Sequence, residues 1–423
     1  MQLKIESVGK IQNSTIEMQG ITVIAGKNNT GKSTYGKVLY CMFNAFFNTK
    51  EAIHNERIND IRRVIYNAPL FELRQYTDSL SKKLVNEMEK VGREIFSENK
   101  IQEIVRSFIS EPSIFMEERE ENEVINNIVE KIKRSISIDD DKIQKIVISR
   151  YFRNEFEGQI NHVNSSSTAG KTSLIIKEKN IDVTIENNEC NKFTDNVGIR
   201  NNAIYMDTPF VIDDFSMPRK SFSRNFIPPM NHRRNIFHRL NKEHSDNTVI
   251  EEAIIDQKVK NILSTIHLVT NGSFKEDKER LMFMESGLEK PIPLFNVSAG
   301  MKPFLIIKRL LELGEIKEQD VLILDEPEIH LHPEWQLQFA EILILLQKEF
   351  NLTILITTHS PYFLNALEVY SKKHEREKYC SYYLAQNKED YSIVEDVTNK
   401  TNEIYSLMED PFCKLERLRN EDL

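Results

Sequence analysis

The first 47 residues carry two successive hydrophobic patterns. Residues 3–24 predict two strands, because LKIESVGKI alternates and GITVIAG is a short β-branched run that ends in glycine. Residues 33–47 then place apolar side chains at helical spacing. A strand, a glycine-containing turn and a helix are therefore predicted in that order.

Residues 49–150 are charged and follow a helical pattern. Apolar positions from Leu73 to Ile95 recur in steps of three and four, with no Gly or Pro between Pro69 and Gly92, which predicts one amphipathic helix of about six turns. Further helices are predicted around residues 124–132 and from Asp139 onward. We interpret this segment as a helical insertion that is too short to be a long coiled-coil arm.

The rest of the chain returns to strands and then alternates. Residues 158–212 are β-rich, residues 251–268 predict a helix, and residues 279–285 and 291–297 predict strands. From residue 303 a helix, a buried strand (DVLILDEP), a second helix (334–349) and a second strand (LTILITTH) follow. Such alternation predicts an α/β fold with a parallel sheet covered by helices.

Composition narrows the class of protein. The 423 residues are 40% hydrophobic and 29% charged, as in ordinary globular domains, and the net charge of -9 disfavours a protein that coats nucleic acid through bulk positive charge. The four cysteines form no CxxC pair, which disfavours structural zinc or a disulfide framework. No apolar run is long enough for a membrane span and no signal core is seen, so we expect a cytoplasmic protein without a membrane partner.

The strongest local motif is GKNNTGKS, between the first buried strand and the first helix. It fits G-x-x-x-x-G-K-[ST], whose glycines and freed amides wrap phosphate oxygens. Lys32 is expected to pair with the β- and γ-phosphates, and Ser33 to ligate Mg²⁺. A chance glycine turn is the alternative. The candidate ATP-binding residues of this segment are Gly26, Lys27, Asn28, Asn29, Thr30, Gly31, Lys32, Ser33 and Thr34.

A second motif, VLILDEPE, ends a buried strand in two adjacent carboxylates. Because a strand alternates sides, Asp325 and Glu326 cannot do the same work. Asp325 is expected to hold Mg²⁺ through water, and Glu326 to polarise an attacking water. Alone, the motif would equally fit a strand end with two solvated acids.

Two weaker motifs lie near these. TTHSP places His359 at the end of another β-branched run, where a polar side chain faces the phosphate end of a parallel sheet. NVSAG places Ser298 and Gly300 just before a predicted helix, which suits an anion site or, in the simpler reading, an N-cap.

The order of the four motifs resembles the ABC-type ATPase superfamily, with Walker A, signature, Walker B, D-loop and switch histidine. DEPEIHLHPEW resembles SMC-like and OLD-like ATPases more than transporter subunits, and VSAGM stands where LSGGQ would be, with Ala299 in place of its middle glycine. The resemblance implies ATP and Mg²⁺ as cofactors, Glu326 and His359 as catalytic residues, and head-to-tail pairing in which Ser298 and Gly300 reach ATP held by Lys32 of the other copy. His330 and His332 could alternatively suggest a metal site, but no third ligand accompanies them.

With this resemblance, we expect a P-loop ABC-type ATPase head with a β-rich subdomain and an inserted helical domain. The expected divisions are the N-terminal part of the head (1–48), the helical insertion (49–150), β-subdomain strands with a basic connecting region (151–289), the C-terminal part of the head (290–370), and C-terminal strands with an amphipathic tail (371–423).

Two further assignments are less specific. Gln159 is a candidate for the glutamine that contacts the metal in this superfamily. Residues 216–242 contain seven basic residues and no acidic one, interleaved with phenylalanines, which is typical of a nucleic-acid contact and also of a solvated loop or a docking surface for an acidic partner. The candidate DNA or RNA contacts are Arg219, Lys220, Arg224, Arg233, Arg234 and Arg239.

These features favour an ATP-hydrolysing switch that forms a homodimer or higher homo-oligomer and regulates a partner. The C-terminal layout resembles ATPase subunits of antiphage systems of the Septu (PtuA-like) kind, which implies a separate nuclease encoded nearby, since no nuclease motif is visible in this sequence. The alternative is an SMC- or repair-like DNA-binding ATPase in DNA maintenance, although the long coiled coil and zinc-hook CxxC of that class are missing. A transporter subunit and a non-catalytic nucleotide sensor are disfavoured by the motifs.

Overall fold

The computed structural model describes residues 1–109, 118–163, 168–216, 231–242, 249–277, 280–388 and 391–421. Its contacts divide the chain into two compact units. The first unit combines Met1–Phe46 with Ile148–Leu423, and the second is Phe47–Val147.

The described strands all belong to the first unit. In chain order they are β1 (Gln2–Val8), β2 (Ile11–Glu17), β3 (Ile21–Gly26), β4 (Gly170–Ile176), β5 (Lys179–Glu186), β6 (Glu189–Asp195), β7 (Ala203–Met206), β8 (Gly272–Asp277), β9 (Arg280–Glu285), β10 (Ile292–Pro293), β11 (Val321–Asp325), β12 (Thr353–Thr358), β13 (Cys380–Lys388) and β14 (Tyr391–Asp396).

Thirteen α-helices lie among the described residues, besides short 3₁₀ helices. They are α1 (Lys32–Asn44), α2 (Thr49–Tyr66), α3 (Phe71–Gln75), α4 (Thr77–Val91), α5 (Glu98–Arg106), α6 (Glu118–Ser137), α7 (Asp140–Phe156), α8 (His232–Leu240), α9 (Val249–Val269), α10 (Lys302–Glu312), α11 (Pro333–Phe350), α12 (Pro361–Lys373) and α13 (Asn402–Glu421). None of the described helices is long and apolar enough to cross a membrane.

Eleven strands form one mixed sheet in the order β6-β5-β4-β1-β2-β14-β13-β3-β12-β11-β7. The half from β13 to β7 is parallel, and β3, β11 and β12 are runs of buried apolar residues, as strands covered on both faces must be. The carboxyl ends of these parallel strands therefore meet at one edge. This confirms the α/β P-loop fold predicted from the sequence.

The parallel half is held by an apolar core that it shares with α10, α11 and α12. Phe304 and Phe339 are fully buried there and meet edge to face, with ring centroids 5.2 Å apart. Truncating one of these rings to alanine would cost about 3–5 kcal/mol of stability. Helix α1 also packs tightly on the sheet, since a Cβ on Gly36 would lie 3.0 Å from Ile323. The strand ends are thus carried by a rigid layer.

The antiparallel half contains the strands of the β-rich region. Strands β4, β5 and β6 continue the large sheet through the pairing of β4 with β1, so they form no sheet of their own. A separate three-stranded sheet contains β8, β9 and β10. The strand predicted for residues 291–297 was wrong in length: only Ile292–Pro293 pairs, and Leu294–Asn296 forms a 3₁₀ turn. Two prolines in three residues remove the N–H groups that a longer strand would need.

The second unit is helical, with its own apolar core. The prediction of one continuous helix from Leu73 to Ile95 was wrong. The helical pattern is interrupted at Tyr76, between α3 and α4. Helix α4 then ends before Gly92, whose φ of 95° is left-handed. Tyr76 instead packs edge to face on Phe108, with centroids 5.7 Å apart. A tertiary contact here overrides the local helical pattern.

Candidate functional site

The glycine-rich loop lies between β3 and α1 at the carboxyl edge of the sheet. A Cβ on Gly26 would collide with the carbonyl oxygen of Ala385 on β13, and Gly31 adopts the left-handed φ of 77° at the N-cap of α1. Both positions therefore need glycine. The loop leaves the first N–H groups of α1 facing the same edge, which suits an anion.

The other loop residues are arranged by short-range hydrogen bonds. Thr30 Oγ1 donates to the carbonyl of Lys27 at 2.8 Å, and Lys10 Nζ donates to Asn29 Oδ1 at 2.7 Å. Lys27, Asn28 and Asn29 are exposed, so they can face a ligand. Thr34 lies in the first turn of α1 and would touch a Cβ placed on Gly9.

Lys32 is turned into the loop. Only 4% of its surface is exposed, and Nζ donates to the carbonyl oxygens of Gly26 at 2.8 Å and Lys27 at 2.9 Å. The same nitrogen lies 3.5 Å from Glu326 Oε1. The structure thus joins the first and second motifs through one buried cation.

The topology explains why Lys32 and Glu326, which are 294 positions apart in sequence, meet. Strand β12 lies between β3 and β11, so the two motif-bearing strands are separated by about 10 Å. Glu326 follows directly after β11 and adopts a φ of 49°, which is uncommon for a residue with a side chain. Its N–H donates to the carbonyl of Thr357 at 3.0 Å, which holds this strained conformation in place. Strain of this kind concentrates at functional sites.

His359 meets the same carboxylate from the end of β12. Its Nδ1 lies 3.4 Å from Glu326 Oε1. The hydrogen bond from His359, with help from Lys32, lowers the pKa of Glu326 despite its partial burial. The same hydrogen bond raises the pKa of His359. Glu326 is therefore an ionised acceptor flanked by two donors.

Asp325 is held on both of its oxygens. The hydroxyl of Tyr205 donates to Oδ2 at 3.1 Å, and the hydroxyl of Thr357 donates to Oδ1. Ser33 lies in the first turn of α1, at the same edge of the sheet. A hydroxyl and a carboxylate are oxygen donors of the kind Mg²⁺ prefers, so the residues present fit the predicted Mg²⁺.

Sequence reasoning missed the role of Glu328. Its side chain is 2% exposed, and Oε1 accepts from the hydroxyl of Thr358 at 2.5 Å and from the N–H of His359 at 3.1 Å. Oε2 is buried and has no hydrogen-bond partner among the described residues. Burial raises the pKa of Glu328. Glu328 thus connects the end of β12 to the turn after β11. In the sequence, its place in the motif VLILDEPE was the one feature that could have indicated a role for this residue.

The NVSAG motif, with Ser298 and Gly300, leads into α10 through a 3₁₀ turn. A Cβ on Gly300 would lie 2.9 Å from both the carbonyl oxygen of His330 and the ring of Trp335. Only glycine fits this close contact with the segment that follows Glu328. The side chain of Phe295, three residues before Ser298, is 64% exposed.

The two histidines of HLH have separate surroundings. His330 packs edge to face on Phe210 with centroids 4.9 Å apart, and His332 Nδ1 accepts the N–H of Glu334 at the start of α11. Within the described ranges, no three His, Cys, Asp or Glu side chains form a group that could hold a metal.

Gln159 stays a prediction. Its side chain is exposed in the turn after α7, and the neighbouring carbonyl of Ile160 accepts the N–H of Gly9, which lies beside Thr34. Its backbone is thus near the loop, but no described contact of its side chain reaches the site.

The basic residues predicted to contact nucleic acid differ in their surroundings. Arg219, Lys220 and Arg224 lie outside the described residues. Arg234 is exposed, and Arg233 is exposed but ion-paired with Asp207 at 2.5 Å.

The structure does not support the predicted contact of Arg239 with nucleic acid. It is 7% exposed and pairs with the buried carboxylate of Glu315 at 3.1 Å, so it does not form part of an open surface. Its position in a run of basic residues gave no sign of this, because Glu315 lies far away in sequence.

Comparison with known proteins shows the family of the chain. A family model described as "AAA domain, putative AbiEii toxin, Type IV TA system" matches residues 21–365. A curated relative, "Retron Vc95 probable ATPase" from Vibrio cholerae serotype O1 biovar El Tor, is 27% identical over 138 residues, which cover 30% of this chain. The match spans about a quarter of that relative, 26% of its length.

Solved structures similar to the chain include two SMC head domains. The head domain from Thermotoga maritima has a TM-score of 0.39 at 12% identity and covers 94% of this chain and 98% of its own. The Pyrococcus furiosus Smc head domain with an extended coiled coil, bound to the C-terminal domain of ScpA, has a TM-score of 0.41 at 10% identity and covers 99% and 98%.

The family model covers most of the chain, including the glycine-rich loop, the two adjacent carboxylates at the end of β11 and His359. These are the residues that the structure brings to one edge of the sheet. The chain therefore belongs to the AAA-domain ATPase family described as putative AbiEii toxin of a type IV toxin–antitoxin system.

Proposed function

We propose that this ATPase binds and hydrolyses Mg²⁺–ATP at a head-to-tail homodimer interface and thereby regulates a partner effector, a nuclease in antiphage defence. The observation that carries the proposal is that Lys32 and His359 both approach Glu326 Oε1. Lys32 Nζ lies 3.5 Å from this oxygen, and His359 Nδ1 lies 3.4 Å from it. A cation, an ionised acceptor and a proton donor are the groups that phosphoryl transfer to water requires.

Lys32 and the loop bind the phosphates in this proposal. The Nζ hydrogen bonds to the carbonyls of Gly26 and Lys27 keep the ammonium group inside the loop, where phosphate oxygens can accept from it. Ser33 and Asp325 would hold Mg²⁺, which neutralises phosphate charge when bound. The exposed Lys27, Asn28 and Asn29 contribute further donors at the mouth of the loop.

Glu326 orients the water in this proposal. Its lowered pKa keeps the carboxylate ionised at neutral pH, so Oε1 or Oε2 can accept a proton from a water placed against it. His359 holds that carboxylate through Nδ1, and Glu328 fixes the His359 backbone. The buried hydrogen bonds of Glu328 give the pair a rigid support.

Pairing of two copies is supported by the surface beside the signature segment. Phe295 is 64% exposed and lies five residues before Gly300, and Ile329 is 54% exposed and directly precedes His330, whose carbonyl oxygen Gly300 approaches closely. Apolar side chains of this size beside Ser298 suit a face that a second copy covers. ATP shared between copies would then stabilise the dimer by mass action.

A nuclease partner in defence is the finer part of the proposal. The curated relative is named "Retron Vc95 probable ATPase", and the family description reads "putative AbiEii toxin, Type IV TA system". Both names belong to multi-component systems, which supports a partner for this chain. Recovery of a nuclease with the tagged chain from its native host would support this part, and recovery of the chain alone would contradict it.

The ATPase proposal is tested by measuring ATP binding and phosphate release on four variants. Lys32→Ala is expected to lose ATP affinity at least tenfold, because the loop loses its cation. Glu326→Gln is expected to retain ATP affinity and to lose turnover by about 100-fold or more, the usual contribution of a general base.

Matched controls separate these roles from general damage. Lys37→Ala removes another lysine of helix α1. Glu318→Gln neutralises an exposed carboxylate three residues before the start of β11, at the end of the strand away from Glu326. Both are expected to behave like the wild type. Unchanged ATP affinity in Lys32→Ala would refute the phosphate site, and wild-type turnover in Glu326→Gln would refute the role of that carboxylate.

A further inference from the structure

A buried polar cluster lies behind Asp325, on the side of the sheet edge formed by β7. Tyr205 is 1% exposed, and β7 pairs with β11 so that Tyr205 lies opposite Ile323, two residues before Asp325. The tyrosine hydroxyl donates to Asp325 Oδ2 at 3.1 Å. With Thr357 on Oδ1, this hydrogen bond fixes the plane of the carboxylate.

The ring of Tyr205 is itself held by His232. The two rings stack with centroids 4.2 Å apart and planes 28° apart. His232 Nδ1 lies 2.5 Å from Glu155 Oε1, and Nε2 lies 3.0 Å from Asp207 Oδ1. Glu155 is hydrogen-bonded to Nδ1, and Asp207 lies at ion-pair distance from Nε2 on the opposite side of the ring. The two carboxylates together favour one orientation of the ring.

The cluster is charge-balanced and tied to the backbone. His232 and Arg233 supply two cations for the carboxylates of Glu155 and Asp207. The N–H of His232, the first residue of α8, also donates to Glu155 Oε2 at 3.1 Å. Buried charges of this kind persist when each has a partner, and breaking one pair leaves the other charge exposed to a low dielectric.

We propose that Tyr205 is a positioning residue that aims Asp325 at the magnesium ion, and that the ion-paired ring of His232 holds Tyr205 in place. A carboxylate whose orientation is set in advance loses less freedom when it meets a cation, and groups that orient metal ligands typically contribute 10–100-fold in metal affinity or activity. A tyrosine hydroxyl is protonated at neutral pH, so it can donate to the carboxylate of Asp325. The ATPase motifs name neither Tyr205 nor His232.

This inference rests on the proposed Mg²⁺–ATP function, so its test separates metal from nucleotide. The affinity for a fluorescent ATP analogue is measured with saturating Mg²⁺ and with EDTA, and the ratio gives the gain in affinity due to Mg²⁺. Tyr205→Phe removes only the hydroxyl and keeps the stacked ring. We expect the Mg²⁺ gain to fall about tenfold while the affinity in EDTA stays at the wild-type value.

The control is Tyr405→Phe, which removes the same kind of bond elsewhere. The Tyr405 hydroxyl donates to Glu368 Oε2 at 2.7 Å, between α13 and α12. Its Mg²⁺ gain is expected to match the wild type. Equal Mg²⁺ gains in Tyr205→Phe and wild type would overturn the role of Tyr205.

The role of His232 in holding Tyr205 is tested with two further variants. His232→Gln and Asp207→Asn each loosen the stacked ring, and each is expected to lower the Mg²⁺ gain by several-fold. A normal gain in the folded variant, or in Asp207→Asn if His232→Gln does not fold, would overturn the role of His232. Wild-type protein that does not bind the analogue in either condition would instead refute the proposed ATP function itself.

Discussion

The ion-paired ring of His232 predicts that raising the pH destabilises the first unit. Groups from four neighbouring segments face this ring or its partners: Glu155 on α7, Asp207 and Tyr205 at the end of β7, Tyr40 on α1, and Arg233 beside it on α8. Burial alone would lower the pKa of His232, but the two carboxylates outweigh it and raise the pKa to about 9. Unfolded histidine titrates near pH 6.5, as its ordinary value indicates.

The sign and size of the effect follow from these two values. Between pH 6.5 and 9 the folded chain holds a proton on His232 that the unfolded chain releases, so the free energy of unfolding falls as the pH rises. The contribution of His232 is complete below pH 6.5 and is lost above pH 9. The pKa difference corresponds to about 3 kcal/mol, with a slope of at most about 1.4 kcal/mol per pH unit.

Urea unfolding from pH 6 to 9.5 measures this slope. The chain has one tryptophan, Trp335 on α11, so its fluorescence reports on the first unit alone. His359 also titrates with a raised pKa, and subtracting the curve of His232→Gln from that of the wild type removes its contribution. Equal slopes in the two proteins would refute the reasoning. A ring titration of His232 by NMR near pH 6.5 in the intact chain would refute it independently.

Three further outcomes are expected. Gly26→Ala should lower the affinity for an ATP analogue at least tenfold, because its Cβ would collide with the Ala385 carbonyl and shift the loop; wild-type affinity would contradict this packing. Arg234→Gln should reduce the salt slope of single-stranded DNA binding, measured by fluorescence anisotropy, by about 0.7, the loss of one phosphate contact. The matched exposed lysine variant Lys260→Gln should leave that slope unchanged, and an unchanged slope in Arg234→Gln would remove the residue from any nucleic-acid surface. Glu328→Gln should slow ATP turnover, measured by phosphate release, because it weakens the support of His359, whereas an unaltered rate would limit Glu328 to the fold.

The parallel half of the sheet was predictable from sequence. Strands β3, β11 and β12 are short, mainly apolar and buried runs that end at Gly26, Asp325 and Thr358, and such runs occur where a strand is covered on both faces. The motif residues mark the carboxyl edge because phosphate chemistry gathers there in parallel sheets. The positions of Lys32, Glu326 and His359 at this edge could therefore be predicted from the sequence, and their roles in ATP hydrolysis stay predictions.

The remaining parts of the site depend on pairing between distant segments. Nothing in the sequence around Tyr205 says that β7 lies beside β11, so its bond to Asp325 could not be foreseen. The same holds for Glu155 and Asp207, which meet on His232 from separate elements. Local patterns carry helix and strand periodicity, whereas these contacts are set by the order of strands in the sheet.

Two predictions failed where a tertiary contact opposed the local pattern. The apolar spacing through Tyr76 is helical, yet its ring packs on Phe108 and the helix breaks there. Arg239 belongs to a basic run, yet it turns inward to the buried Glu315. Arg239 is buried beside Glu315, whereas Tyr76 is 42% exposed and makes a ring contact with Phe108. Both contacts come from segments distant in sequence, and they outweigh the small energy of local propensity.

The proposed ATP cycle is tested most directly by sedimentation velocity of Glu326→Gln with and without Mg²⁺–ATP. This variant should bind ATP without consuming it, so two copies joined at Lys32 and Ser298 should persist. The predicted result is a shift from the mass of one chain, 49.5 kDa, to twice that mass when ATP is added, and no shift when Lys32→Ala is combined with it. An unchanged mass under conditions where ATP is bound would contradict the proposal that ATP joins two copies of this chain.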